Sequence, residues 1–328
     1  MHDHRHTSDL RGKKVLLVGV FPPPLGGISV HLKRVKAKLE KQGCTVLAWD
    51  VGYGYLSYYW KLIRFCLKQR PEVIIYHTLQ LRSYPIELSI LLVIGKMLGS
   101  KTIAVIHSAR FVTRIGWLNG KITSWLLSYY SQIVLVSGQL QGQLFPKIKL
   151  NRANWVVESP FLPPDLSEKQ AILDQMPASL KDFLASHSPI ITVSITRLEV
   201  WQGQSLYGED LAIQAFEYLR QDFPRAGLLI VLGNQNGKML KLGPNNYLLS
   251  EWPQEMWPLI AQSDLLIRPT RSDCNAISVM EALCLGVPVV ASDVCVRPSG
   301  TILFRSGDVH DLYEKMRQVL TTNFQLLS

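Results

Sequence analysis

Short apolar runs alternate with amphipathic segments along most of the chain. The run KVLLVGV, which begins at Lys14, is uniformly apolar, as in a strand that is covered on both faces of a sheet. The following segment VHLKRVKAKLEKQG has helical spacing with basic side chains on its outer side, and Gly43 is suited to end a helix. The pattern therefore predicts a strand, a loop and a helix in that order.

The same alternation continues to Ser137. Further strands are predicted at CTVLAWDVG, EVIIYHT, KTIAVIHS and QIVLVS, and helices at YWKLIRFCLKQRP, IELSILLVIGKMLG and LNGKITSWLLSYYS. The segment that begins at Ile86 is the most apolar of these, but it is too short to span a bilayer, so it predicts a buried helix. Strands that alternate with helices predict a parallel, doubly wound sheet.

A proline-rich polar stretch, Glu158–Gln170, interrupts the pattern and is typical of a linker. The alternation then restarts, with strands predicted at PIITVSIT, AGLLIVLG, DLLIRPT and PVVASD. The prediction is an α/β protein of two Rossmann-like doubly wound domains, residues 1–165 and 166–328, that face a cleft.

Charge divides the two halves. The chain carries a net charge of +10, but residues 1–165 have a balance of +14 and the remainder a balance of −4. The basic half could meet nucleic acid, an anionic membrane surface or a phosphorylated substrate. No nucleic-acid recognition motif accompanies the charge, so a nucleic-acid partner is not expected.

The cysteines and the N-terminal segment indicate a cytoplasmic protein without a structural metal. Five cysteines and no CxxC spacing favour reduced thiols over a disulfide framework or a zinc knuckle. The N-terminal segment has no apolar core of a secretory signal. His2, His4 and His6 alternate there, and we interpret them as part of a tail rather than as a metal site.

Candidate binding groups follow the predicted strands, because ligands of doubly wound sheets bind beyond the carboxyl ends of the strands. Gly26 and Gly27 lie between the first strand and the first helix, where a glycine backbone can approach a phosphate closely. The alternative is an ordinary turn. His77 and His107 each end a strand, and a structural role is the more common one for such a histidine.

Arg197 follows the strand PIITVSIT, and an always-charged guanidinium there could hold a diphosphate. The alternative is a surface arginine that pairs with Glu199.

Two carboxylates frame the stretch DCNAISVME. Asp273 lies in the loop after DLLIRPT and Glu281 lies inside the next helix, where both could accept hydrogen bonds from the paired hydroxyls of a sugar or ribose. The backbone N–H groups between them, which suit a phosphate, belong to Asn275, Ala276 and Ile277. The alternative is a capping box of Ser278 and Glu281 with Asp273 as a turn residue.

The stretch Asp264–Asp293 resembles the signature of family 4 of the retaining glycosyltransferases, which have the GT-B fold. That family carries E-x7-E followed by E-A-h-x-G-x-P-V-V-A-S, and this chain reads D-CNAISVM-E-ALCLGVPVVAS. The resemblance also takes in the glycine pair, His107, Arg197 and the segment YGEDLAIQAF.

The resemblance implies a role for each matching residue. Glu281 would bind the ribose of a nucleotide sugar, and Asp273 the hydroxyls of the transferred sugar. Arg197 would neutralise the leaving diphosphate. Gly26 and Gly27 would approach the diphosphate, and His107 would lie near the donor sugar.

This chain departs from the family pattern at three positions. Asp273 replaces the first glutamate, Cys274 replaces a small or aromatic residue, and Tyr207 stands where the family has a phosphate-binding lysine. These departures keep a second interpretation open, a non-catalytic GT-B subunit that binds a sugar nucleotide or supports a partner glycosyltransferase.

The predicted function is a retaining, metal-independent transfer of a sugar from a nucleotide-sugar donor to a saccharide or polyprenyl-diphosphate-linked acceptor, in cell-surface polysaccharide or glycan biosynthesis. No cofactor is expected, and no D-x-D metal motif occurs. The aromatic and basic segment around Tyr58, Tyr59, Trp60, Lys61 and Arg64 predicts peripheral docking on the anionic inner face of the cell membrane. The alternative is a helix whose apolar face packs in the core.

Overall fold

The structure, a computed structural model, describes residues 10–22, 26–51, 56–78, 84–107, 117–149, 154–234, 240–250, 252, 254–273 and 276–327. The chain divides into two compact units. The main boundary lies between Leu162 and Pro163, and Gly26 and Gly27 group with the second unit.

Six parallel strands form the sheet of the first unit. They are β1 (Lys14–Gly19), β2 (Thr45–Asp50), β3 (Val73–Thr78), β4 (Lys101–Ile106), β5 (Gln132–Leu135) and β6 (Trp155–Val157). Their spatial order is β2-β1-β3-β4-β5-β6. β1 lies inside the sheet between β2 and β3, and Val15 and Val18, which point to opposite faces of the sheet, are both buried.

Helices connect these strands. They are α1 (Gly27–Lys41), α2 (Leu56–Gln69), α3 (Tyr84–Leu98), α4 (Trp117–Ser128) and α5 (Gly138–Leu144). α3 packs between α2 and α4. Leu88 and Leu91 on the inner side of α3 are buried, but Ile86, Val93 and Met97 on its outer side are exposed. The sequence-based prediction that this segment is a buried helix therefore holds for one side only.

The second unit contains a second six-stranded sheet and a small hairpin. The strands are β7 (Ile190–Arg197), β8 (Val200–Trp201), β9 (Gln204–Ser205), β10 (Gly227–Asn234), β11 (Asn246–Ser250), β12 (Leu265–Arg268), β13 (Val289–Ser292) and β14 (Thr301–Phe304). The parallel sheet has the order β11-β10-β7-β12-β13-β14, and β8 pairs with β9 in an antiparallel hairpin.

Helices cover both faces of the second sheet. They are α6 (Lys169–Asp174), α7 (Ala178–Ser186), α8 (Glu209–Asp222), α9 (Trp257–Ile260), α10 (Ile277–Cys284) and α11 (Val309–Leu327). Successive strand residues point to opposite faces. Ile191 packs in a cluster with Phe216 of α8 and Met316 of α11, whereas the adjacent Ile190 packs in a cluster with Trp257 of α9.

Two separate parallel sheets, each flanked by helices, confirm the predicted α/β class. The pattern missed α5, α7, β6, β11 and β14, and the segment interpreted as a linker contains a 3-10 turn at Leu166–Glu168 and the start of α6. The connection between β7 and α8 contains the β8–β9 hairpin. Among the described residues, no helix combines the length and the apolarity needed to cross a bilayer.

Gly208 immediately precedes α8 and offers a stability test. Its φ is +72°, and an added Cβ would lie 1.9 Å from the carbonyl oxygen of Pro269. We expect Gly208→Ala to lower the free energy of unfolding by about 3 kcal/mol or more, because overpacking of backbone adds to left-handed strain. Urea denaturation monitored by circular dichroism measures this change.

The matched control is Gly203→Ala in the hairpin turn. Gly203 has a φ of +80°, but an added Cβ there meets nothing within 4 Å. Only the left-handed strain applies, so we expect a loss of about 1 kcal/mol. Equal losses in the two variants would contradict the steric explanation for Gly208.

Candidate functional site

The carboxyl edge of the second sheet collects charged residues from several strands. Arg197 ends β7, Arg268 ends β12, and Asp273 and Arg297 follow β12 and β13 along the chain. β7, β12 and β13 are neighbours in the parallel sheet, so their carboxyl ends lie at one edge. This topology brings together residues that are up to 100 positions apart in sequence.

Asp273 is held between two arginines at this edge. Its Oδ2 accepts hydrogen bonds from Arg268 Nε at 3.1 Å, Arg297 Nη1 at 2.8 Å and Thr270 Oγ1 at 3.2 Å. Its Oδ1 accepts a longer bond from Arg268 Nη2 at 3.4 Å. Oδ2 therefore accepts three of the four hydrogen bonds that these described residues donate. Oδ1 accepts only one of them and can accept another donor.

The charges around Asp273 determine its protonation. Burial alone would raise the pKa of this carboxyl, but the charges and hydrogen bonds of Arg268 and Arg297 outweigh burial and lower the pKa to about 2. Asp273 is therefore ionised at neutral pH. The group of two arginines and one aspartate carries a net charge of +1.

Arg197 is in a different environment. Its Nε donates to Glu199 Oε2 at 2.9 Å, and its side chain is 48% exposed. The surface pair with Glu199, which the sequence left open as an alternative, is therefore present. Exposed pairs of this kind contribute only about 0–1 kcal/mol, so Arg197 can exchange its partner at little cost.

Arg271 is committed to a carboxylate of α8. Its Nη1 and Nη2 donate to the two carboxylate oxygens of Asp210 at 2.8 and 2.7 Å, and Nη1 also donates to Ser205 O at 2.7 Å. This bidentate pair joins the loop after β12 to the first turn of α8.

Tyr207 lies close to the guanidinium of an arginine. The guanidinium carbon of Arg268 is 5.4 Å from the centre of the Tyr207 ring, and the ring also packs partly against the core. This distance is within the range of a cation–π contact. Tyr207 carries no charge itself, but its ring contacts the buried guanidinium of Arg268 and helps to orient it.

The start of α10 does not form the predicted alternative capping box. Ala276 is the N-cap residue, and none of the described side chains caps the helix. Ser278 and Glu281 are both buried within the helix. The first-turn N–H groups near Ala276 and Ile277 thus lack a side-chain cap, while Cys274 and Asn275 lie outside the described residues.

Gly26 and Gly27 occur where α1 begins. Neither residue is among those with positive φ, and an added Cβ at either position would meet only ordinary contacts at 3.7–3.9 Å. The local backbone therefore gives no reason for glycine at these positions. The prediction that a ligand approaches the backbone closely here would explain the two glycines.

Three histidines meet in the first unit. His77 is in β3, His107 directly follows β4, and His31 comes from α1. His77 Nδ1 lies 2.7 Å from His107 Nε2, and the two rings stack with their centres 5.0 Å apart. The ring of His31 packs edge-on against both, with centres 5.4 Å from His77 and 5.1 Å from His107.

Burial keeps these three rings neutral. Desolvation is the largest cause that lowers the pKa of each, to about 4 for His31 and well below the usual value for His77 and His107. Mutual repulsion among the rings lowers these pKa values further for His77 and His107.

The sequence analysis did not identify Arg297 in the charged group around Asp273, nor His31 beside His77 and His107. Arg297 follows β13, so its place after a strand was an available signal. His31 carried no such signal, because its position in α1 shows neither which ring it faces nor that His77 and His107 are adjacent. Two further arginines near this edge, Arg268 and Arg271, are both paired with carboxylates.

Comparison with known proteins assigns this architecture to a class. Residues 189–322 match the family model of glycosyl transferases group 1. The match confirms the predicted resemblance to the group 1 enzymes over the second unit, while membership of family 4 stays a prediction. No curated protein matches the sequence.

Solved structures with the same fold span nearly the whole chain. HepE from Anabaena in complex with UDP-glucose has a TM-score of 0.65 at 15% identity, over 94% of this chain and 90% of that one. Sucrose-phosphate synthase from Thermosynechococcus elongatus has 0.62 at 13%, over 94% and 90%. A UDP-forming α,α-trehalose-phosphate synthase from Burkholderia xenovorans has 0.63 at 14%, over 94% and 91%. The fold is therefore that of the GT-B glycosyltransferases.

The protonation of Asp273 gives a testable pH dependence. Because its pKa is lower in the folded protein than in the unfolded chain, the resulting stabilisation is complete above about pH 4 and is lost as the pH falls through 2. We expect the wild type to lose about 2 kcal/mol more than Asp273→Asn between these values. Urea titrations at each pH measure the difference, and equal slopes would contradict it.

Proposed function

We propose that this chain is a retaining glycosyltransferase that moves a sugar from a nucleotide-sugar donor to a saccharide or polyprenyl-diphosphate-linked acceptor. The observation that carries the proposal is the group 1 match over residues 189–322, together with the positive charge at the carboxyl edge of the same sheet. A nucleotide sugar carries a diphosphate, which such an edge can bind.

Arg197 is the cation best suited to the diphosphate. Arg268, Arg271 and Arg297 each form a partly buried pair with a carboxylate, and breaking such a pair leaves an uncompensated charge. The exposed pair of Arg197 with Glu199 costs little to exchange. The diphosphate gains charge as it leaves, so a cation there stabilises the transition state more than the ground state.

The remaining groups of the second unit would bind the rest of the donor. Asp273 would accept a sugar hydroxyl on Oδ1, and Glu281 would bind the ribose. The N–H groups at Asn275, Ala276 and Ile277 would bind phosphate oxygens, a role supported by the absence of a side-chain cap on α10.

The part of the chain from β1 to the end of β4 would contribute Gly26, Gly27 and His107. The glycines would let the backbone approach the diphosphate, and nothing in the local backbone otherwise accounts for them. His107 would contact the donor sugar with the ring nitrogen that does not face His77.

Transfer with retention needs no activated water. The bond between the anomeric carbon and the diphosphate oxygen breaks, and the acceptor oxygen bonds to the same face of that carbon. The proton of the acceptor hydroxyl passes to the leaving diphosphate. The protein then contributes position and charge stabilisation, and no metal ion is needed for this step.

An exposed surface on the first unit supports a peripheral membrane location. We call it the three-helix face, the outer side of α2, α3 and α4. Its exposed apolar side chains are Trp60, Leu67, Ile86, Val93, Met97, Ile122, Trp125 and, just after α4, Tyr129. Its exposed cations are Lys61, Arg64, Lys68, Lys96 and Lys121.

The three helices contain a single acidic residue, Glu87, which is buried and accepts a hydrogen bond from Tyr76. The three-helix face therefore combines apolar and positive groups without a balancing acid. Tyr59 of α2 packs inward while Trp60 is 64% exposed. One side of α2 therefore packs in the core, and the other side is exposed and can contact a membrane surface. The proposed location is the cytoplasmic face of the cell membrane, with lipid-linked acceptors.

A non-catalytic GT-B subunit is the second candidate. It is favoured by Tyr207, because the position that carries a lysine in the family holds an aromatic ring here. Such a subunit would bind a sugar nucleotide without transferring the sugar.

Release of free nucleoside diphosphate separates the two candidates. The donor panel begins with UDP-glucose, which the Anabaena HepE structure contains, and includes other nucleotide sugars. Anomeric configuration of the product, followed by proton NMR, tests retention. Binding of a donor without release of diphosphate with any saccharide or polyprenyl-diphosphate acceptor would favour the non-catalytic subunit.

We expect Arg197→Ala to lower turnover about a hundredfold. Loss of about 3 kcal/mol of transition-state stabilisation by this cation has that effect on the rate. The matched control is Arg225→Ala, an exposed arginine before the amino end of β10. Steady-state release of nucleoside diphosphate measures both. Near-wild-type turnover by Arg197→Ala, with Arg268→Ala or Arg271→Ala inactive, would assign the diphosphate to that residue.

We expect the protein to bind vesicles that contain anionic lipid more tightly than neutral vesicles, with weaker binding at high salt. Replacement of both Trp60 and Trp125 by serine should weaken binding about tenfold or more, because two exposed indoles are lost. Trp201→Ser, on the hairpin of the second unit, is the control. Vesicle co-sedimentation measures binding, and equal affinity for neutral and anionic vesicles would contradict the electrostatic part.

A further inference from the structure

His31, His77 and His107 form a compact set of ring nitrogens, which we call the three-histidine cluster. One ring nitrogen of each residue lies within 4.8 Å of one from each of the others. The rings come from α1, β3 and the end of β4, so the cluster is fixed by three separate elements of the first unit. It contains no carboxylate and no thiol.

A backbone carbonyl determines the tautomer of His31. Its Nδ1 lies 2.6 Å from the carbonyl oxygen of Pro160, and a neutral ring at this distance must donate the Nδ1 hydrogen. The lone pair of Nε2 is then exposed to a ligand. A histidine that coordinates a metal ion commonly has this arrangement, with its other nitrogen bonded to a carbonyl.

His77 has an unsatisfied nitrogen. The ring is 2% exposed, and its Nε2 has no hydrogen-bond partner within the part of the chain that the structure describes. An unpaired buried polar atom costs about 1–3 kcal/mol. The unpaired Nε2 makes histidine a costly residue at this buried position, and its other nitrogen, Nδ1, is the one that faces His107 and would coordinate an ion.

We propose that the three-histidine cluster binds one divalent transition-metal ion of the zinc type. Three neutral imidazoles supply three ligands, and a water molecule completes a tetrahedral set. Two nitrogens on one tetrahedral zinc ion are about 3.3 Å apart, so the pair now 2.7 Å apart must separate by about 0.6 Å, which small ring rotations can supply. A cavity of about 110 Å³, lined in part by Val105 and Pro160, borders His31.

The ligand set determines which ions bind. Imidazole suits zinc, cobalt, nickel and copper, whereas magnesium and calcium require oxygen ligands. Burial keeps the three rings unprotonated, and an unprotonated ring is the form that coordinates a metal ion. The cluster is therefore selective for transition metals over magnesium.

The ion and the proposed sugar contact are compatible at His107. An imidazole has two nitrogens, and a ring that coordinates an ion through one of them donates a hydrogen bond through the other. The ion would join α1 to β3 and the end of β4, and would hold His107 in a fixed orientation. This inference does not depend on sugar transfer, and its test uses only metal binding.

The test uses the full chain without an affinity tag, in which His2, His4 and His6 are replaced by alanine so that the N-terminal segment binds no metal. After treatment with a chelator, the protein is titrated with Zn²⁺ in a calorimeter and with Co²⁺ in a spectrophotometer. We expect one ion per chain and the visible spectrum of four-coordinate Co²⁺. Mg²⁺ should not bind.

The variant His31→Gln removes one ligand without touching the buried His77, and should weaken Zn²⁺ binding on the order of 100-fold or more. His310→Gln, on α11, is the matched control and should bind as the parent does. Thermal unfolding without metal checks that both variants fold. Absence of stoichiometric binding, or equal binding by His31→Gln and the parent, would overturn the proposal.

Discussion

The ion pairs of Asp273 determine how the carboxyl edge of the second sheet is built. One carboxylate pairs with two mostly buried guanidiniums, and Arg297 continues the network to Ser292 at the end of β13. Ser292 in turn donates to Thr270 O in the loop after β12. Without the carboxylate, two cations would remain in a site with little water, which costs several kcal/mol. The loop that carries the proposed donor-binding groups depends on this network.

The two units solve the placement of polar groups in opposite ways. At the edge of the second sheet, charged groups are buried in pairs and hold each other in the ionised form. In the first unit, the corresponding edge holds neutral imidazoles, since three adjacent rings cannot all carry charge in a buried place. The first unit keeps its excess of positive charge on the outside, beside the exposed indoles of Trp60 and Trp125. An ionised edge suits an anion, whereas a set of neutral nitrogens suits a metal cation.

Local patterns in the sequence were sufficient for the class and for most elements. Uninterrupted apolar runs such as Val15–Val18 indicated strands covered on both faces, and the structure buries these side chains completely. The alternation of strands and helices predicted parallel sheets, and the stretch Asp264–Asp293 indicated a resemblance to the group 1 glycosyltransferases, whose family model matches residues 189–322. Short elements such as α5 and β11 were missed, because four to seven residues give too few positions for a period to be recognised.

The sequence by itself determined the fold class and the resemblance to the group 1 glycosyltransferases, and it predicted candidate positions for chemistry, because these depend on periodicity and on residues near each other in the chain. Only the tertiary structure decided the partners. Asp273 and Arg297 are 24 residues apart, and His31 and Pro160 are 129 apart, so no local pattern connects either pair. The exposure of one side of α3 was likewise decided by tertiary packing, because the sheet and two adjacent helices cover only its other side. The hydrophobicity of a segment indicates that a helix can be buried. The arrangement of the sheet and the adjacent helices determines which side of the helix is covered.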